Sequence, residues 1–130
     1  MAATPAFASS PRIAFTTVST ANTNRDGTGT IATVITAGSN GTQVRELVLK
    51  ATGDPADSIV TLFLHDGTNF SLFDEVDLGD PAAASTTVTG YRTSLRYDNL
   101  FLPTGWSVRA AITVALTSGV INVIALGADL

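Results

Sequence analysis

One histidine, His65, stands beside Asp66 in the stretch LFLHDGTNFSLFDEV, with Asp74 and Glu75 a few residues downstream. An imidazole next to carboxylates is the raw material of a metal site or an acid–base pair, because it titrates near neutrality and binds metals well. The rest of the chain offers little to complete such a site. There is no cysteine, so thiolate ligands and thiol nucleophiles are excluded. A zinc site needs at least about three nitrogen, sulfur or oxygen ligands from the protein. A metal-binding cupin needs several histidines projecting into one barrel, and a Ser–His–Asp hydrolase needs a nucleophile elbow that is missing here. His65 is therefore read as a solvent-side residue flanking a hairpin. No catalytic residue, metal ligand or cofactor is assigned, and the chain is expected not to be an enzyme.

Three other stretches invite chemistry and are better read as structure. NRDGTG at residues 24–29 resembles the start of a calcium loop, but the glutamate at the twelfth position and the flanking helices of an EF-hand are absent. It reads as a tight turn between strands. Trp106 could stack on a sugar, yet its position after PTG, in phase with Val108 and Ile112, suits core or interface packing. The acidic run DEVDLGD at residues 74–80 reads as a solvated strand end, where charge also discourages edge pairing.

The elements that would carry these residues are strands. Short β-branched runs alternate with turn signals throughout, at the spacing of a sandwich or barrel. Strands are predicted over 12–17, 30–36, 43–51, 58–65, 70–78, 85–89, 93–97, 106–116 and 120–126. TNRDGTG and AGSNG supply glycine and asparagine for positive-φ turns. TGDPADS and GDPAAAS are proline-containing loops, and LPTGW and TSG close the set. No window sustains a 3.6-residue apolar period, so helices are at most single turns. The expectation is a single all-β domain over residues 12–130, a jelly-roll-like β-sandwich of eight or nine strands. Residues 1–11, rich in Ala, Ser and Pro, are read as a flexible N-terminal arm.

Composition bounds the partners. Charged residues are 14% of the 130-residue chain and hydrophobic ones 45%, against roughly 25% charged in ordinary soluble domains. Such a surface is short of charge and suits burial against other proteins. The net charge of −4 and the pI near 4.6 argue against nucleic acid, which needs a basic stripe to displace counterions. The seven basic residues are scattered, so no polybasic membrane patch forms. The N-terminus has no signal-peptide pattern, and no run approaches the ~20 apolar residues of a bilayer span; the chain reads as soluble and made in the cytoplasm.

Two segments are apolar on both faces. In the predicted hairpin, Val60, Leu62 and Leu64 share one face and Phe63 takes the other, opposite Phe70 or Leu72; a loop of two residues and one of four both remain open for DGTN. In VINVIAL, Val120, Ile124 and Leu126 lie on one face and Ile121 and Val123 on the other. A sandwich strand has one inner side, so double-sided strands imply a covering loop or a second subunit. Phe63, Phe70, Leu72, Phe73, Ile121 and Val123 are accordingly the candidate interface residues, with Phe7, Pro11 and Arg12 as contacts of the arm. WSVRAAITVAL alternates normally and should be half buried.

The ordered set ANTNRDGTGTIATVITAGSNGTQVRELVLKATG, VTLFLHDGTNFSLFDEV, LFLPTGWSVRAAI and INVIALGADL resembles small β-sandwich virion proteins of tailed bacteriophages, over residues 16–130. The carrying features are T-N-x-D-G-T-G, G-x-x-V-x-x-L-x-L-K-A-T-G, L-F-L-H-D-G-T-N and L-P-x-G-W-S-V-R. The resemblance implies a capsid decoration (cement) protein on the virion surface, partnered by the major capsid protein and by copies of itself, with a trimer favoured. It implies no catalytic residues. The competing reading is a phage head or tail module for a glycan or host receptor, using Trp106, Tyr91 and Tyr97 with Asp54, Asp57 and Asp66.

Overall fold

The computed structural model describes residues 10–130, and these form eight strands. In chain order they are β1 (Ser10–Val18), β2 (Ala32–Thr36), β3 (Thr42–Ala51), β4 (Ser58–His65), β5 (Phe70–Gly79), β6 (Arg92–Leu102), β7 (Ser107–Ile112) and β8 (Ile121–Asp129). They make two four-stranded antiparallel sheets, ordered β1-β8-β3-β6 and β2-β7-β4-β5. The all-β sandwich expected from the turn spacing is the fold found. The sheets interleave along the chain, so neighbours in a sheet, the consecutive β4 and β5 excepted, are distant in sequence: Ser10 pairs with Asp129.

Period-two alternation decides which side chains fill the space between the sheets. Val44, Leu47, Leu49, Ile121 and Val123 of the first sheet meet Ile35, Val60, Leu62, Val108 and Ile112 of the second. Burying each such side chain is worth roughly 1.5–3 kcal/mol, and this shared core holds the layers together. One end is closed by polar groups. Arg12 Nη1 donates to Asp129 Oδ1 at 3.0 Å, the Thr42 hydroxyl donates to the same oxygen at 2.6 Å, and Arg12 Nη2 donates to the Thr36 carbonyl. These bonds hold the Asp129 carboxyl below its ordinary value, with the Thr42 hydroxyl the larger cause and Arg12 the next.

Several expected boundaries move, each for a local reason. The predicted strand at 85–89 is a turn: the Ser85 hydroxyl oxygen accepts from the Thr87 and Val88 amides, and Ser85 N donates to the Val88 carbonyl. Side-chain bonds of this kind compete with a ladder. β6 continues past Tyr97 to Leu102, because an irregularity between Val44 and Glu46 absorbs Asp98 and Asn99. β7 stops at Ile112, short of residue 116. β1 begins at Ser10, so Pro11, expected in the arm, joins Arg12 in the sheet, the two lying opposite Ala128 and Gly127; both are held by the sandwich rather than by an arm. Phe7 lies outside the described residues.

Candidate interaction surface

The His65 stretch is a hairpin with a four-residue loop: His65 pairs with Phe70, and Asp66 N donates to the Asn69 carbonyl at 3.2 Å. Asp66 Oδ1 accepts from the Thr68 and Asn69 amides at 2.8 and 2.7 Å. Those amides, Asn69 first, pull its carboxyl below the ordinary range. His65 Nδ1 accepts from Gly67 N at 3.2 Å, and the ring leans on Phe70 with centroids 4.4 Å apart. Asp74 accepts from the Tyr97 hydroxyl at 2.8 Å. Burial and the Asp74 carboxylate raise the Tyr97 pKa, so its hydroxyl remains a donor. The polar atoms of this region hold the hairpin and its neighbours in shape. Among the described residues, no three His, Asp or Glu side chains converge as a metal-binding group.

The outer face of the second sheet explains why the hairpin is apolar on both sides. Phe63 projects there and is 0% exposed. It meets Phe70 edge-on, with centroids 6.0 Å apart, and Arg109 lies over the Phe70 ring at 5.5 Å, a cation–π distance. Above Phe70 runs the β1–β2 loop, residues 19–31. Gly27 of that loop has φ +90° and lies so close to Phe70 that a side chain there would collide with the ring. The loop is pinned from within by buried Asn22. Its Nδ2 donates to the Thr28 and Thr30 carbonyls at 2.9 and 3.0 Å, and its Oδ1 accepts from Asn24 N. Asn22 N also donates to the Ile112 carbonyl, tying the loop to the end of β7. Arg25 pairs with Glu75 on β5 at the far side. NRDGTG is thus part of a roof. Asp26 shapes it by accepting from the Thr28 hydroxyl and amide, which lower its pKa.

This geometry corrects the sequence reading of the interface. Phe63 is buried beneath its own chain, and Ile121 and Val123 are fully buried in the core between the sheets; no partner reaches them in the folded protein. Phe70, Leu72 and Phe73 are half-buried; Phe70 lies under the roof, and Phe73 leans on Tyr97 with centroids 5.8 Å apart. β7 also departs from expectation: Ser107 and Ala111, on its outward face, are buried as well. Trp106 precedes that strand and, with Tyr91 and Tyr97, packs partly buried against the core.

The uncovered face belongs to the first sheet. Ile13 and Phe15 of β1 are 67% and 70% exposed. They pair with Leu126 and Ile124 of β8, which also point outward, and Ile124 pairs with Val48 of β3. Pro11 and Ala128 extend the band, and Phe101 of β6, 50% exposed, lies opposite Gln43 at its end. The sequence signal for this face was RIAFTTV itself. Its larger side chains, Ile13 and Phe15, sit in one phase, while Arg12, Ala14 and Thr16 sit in the other. Register fixes the inward phase: Ala14 pairs with buried Ala125, and Val18 with buried Ile121. The large residues are consequently left outside.

No family model, curated protein or solved structure matches the chain.

Proposed function

We propose that this protein is a structural component of a tailed-bacteriophage virion, a capsid decoration protein that binds between major capsid protein subunits and stabilises the head. The observation that carries the reading is the apolar band on the first sheet, with Ile13 and Phe15 largely exposed beside the half-buried Ile124 and Leu126. An apolar band over β1 and β8, bordered by Glu46, Lys50, Arg92 and Arg96 on β3 and β6, suits contact with another protein. The sequence resemblance to small virion sandwich proteins supports the same role. We read the interleaved strand order β1-β8-β3-β6 over β2-β7-β4-β5 as that of a jelly roll, an architecture used by viral capsid domains. The glycan-binding alternative is less well supported, because Trp106, Tyr91 and Tyr97 are turned toward the core and form no aromatic platform.

The test is co-sedimentation of the purified protein with undecorated heads of the phage that carries it. Saturable binding is expected, lost on Phe15→Glu and retained on substitution of the exposed Thr87 in the 85–89 turn. Absence of binding by the unaltered protein sinks the proposal.

A further inference from the structure

A sandwich of two four-stranded sheets has four edge strands, and three of them here are guarded. β2 is five residues long and interrupted between Thr33 and Ile35. β5 carries Asp74, Glu75 and Asp77 and two register shifts against β4. β6 carries Arg92, Arg96 and Asp98 and the irregularity opposite Val44. Short length, charge and bulges are the usual devices that keep an edge from pairing with another chain.

β1 has almost none of them. It runs nine residues without a register shift. Its one charged side chain, Arg12, is folded across the end of the sandwich onto Asp129 and the Thr36 carbonyl. Pro11 blunts only the first residues. No main-chain hydrogen bond leaves β1 on the side away from β8 among the described residues. The strand also carries the two most exposed large apolar side chains among the described residues, Ile13 and Phe15.

We infer that β1 pairs antiparallel with β1 of a second copy about a two-fold axis at Ala14. The strand fits itself. Ala14 is the midpoint of Ser10–Val18, so this register runs the full length of both strands. It sets Ile13 opposite the partner's Phe15 and Phe15 opposite the partner's Ile13, an aliphatic–aromatic pair of the kind that stabilises sheets. Arg12 falls opposite the partner's Thr16, so no like charges meet, and a neutral edge is matched by a neutral edge. The first sheets of the two copies join into one of eight strands, with the apolar band continuous across the axis. The contact is isologous. It departs from the trimer implied by the sequence resemblance, and it stands independently of the capsid reading.

The absence of cysteine allows a register-specific test. Sedimentation equilibrium of the unaltered protein is expected to give twice the chain mass of 13.4 kDa. Ile13→Lys, which adds the missing guard at an exposed position, is expected to weaken dimerisation about tenfold or more. Under mild oxidation, a mixture of Ile13→Cys and Phe15→Cys proteins should crosslink as the mixed pair in preference to either alone. A monomer at all concentrations, a trimer, or crosslinking without preference for the mixed pair overturns the inference. Capsid binding by a monomer overturns it while leaving the proposed function standing. A dimer with the expected crosslinks and no affinity for heads does the reverse.

Discussion

The two sheets present outer faces that began with similar sequence character and ended differently. On the second, Phe63 is sealed under Phe70, Arg109 and the 19–31 loop. On the first, Ile13 and Phe15 stand open beside Ile124 and Leu126. What separates them is a single long connection. The β1–β2 loop leaves the first sheet, crosses to the end of β7 at Asn22 and reaches β5 through Arg25. No segment among the described residues does the same for the first sheet. An apolar residue pointing out of a sandwich is therefore a core residue on one side and a contact residue on the other.

Substitutions test that contrast, beginning with the largest effect. Phe63→Ala should cost about 3–5 kcal/mol in denaturant unfolding, as for a buried aromatic, while Phe15→Ala should stay within about 0.5 kcal/mol in the monomer. Equal costs at the two positions would erase the distinction. Asn22→Ala removes the loop's internal pin and leaves carbonyls of residues 28 and 30 without that donor; about 1–3 kcal/mol is expected. Hydrogen exchange should then quicken at Thr61, Phe63 and Ala111 before it does in β3 or β8.

Acid should act on the same parts. Asp26, Asp66 and Asp129 are all held below the ordinary aspartate value of 3.8. A carboxyl depressed in the folded state binds protons more readily when unfolded, so its contribution is complete above that value. It is lost as the pH falls through the lower folded values. Amide exchange measured while acidifying should report opening of the 23–30 turn and the 66–69 hairpin tip, and Asp66→Asn should remove the acid sensitivity of the tip. Among the substitutions expected to loosen the fold, the smallest effect belongs to Arg25→Ala. Its pair with Glu75 is exposed, so a loss of at most about 1 kcal/mol is expected, declining with added salt.

Much of this was legible in the residues. β4 was read to its ends, Ser58–His65, because a β-branched run abuts an Asp-Gly turn. The 85–89 run STTVT has strand propensity, yet its own hydroxyl groups satisfy the backbone locally. Alternation in VINVIAL separated two faces correctly and was silent on which looked inward, since both are apolar. The register with β3 decides it: Val123 meets Leu49 and Ile124 meets Val48. Likewise, a double-sided hairpin announces that something covers it without saying what. The cover came from residues more than thirty positions upstream, a distance over which local pattern carries no information.

The placement of β8 between β1 and β3 also governs how the chain is built at the ribosome. All four strands of the second sheet have been synthesised by Ile112, and the roof that covers them precedes them. β1 emerges before the other seven strands and meets β8, its ladder partner among the described residues, after all of them, when residues 121–129 appear. Closure over so long a separation is slow, and a nascent strand bearing Ile13 and Phe15 waits through it with both edges unpaired. Such a species is prone to associate with its neighbours on a polysome. The time between the emergence of β1 and that of β8 thus sets how long that vulnerability lasts.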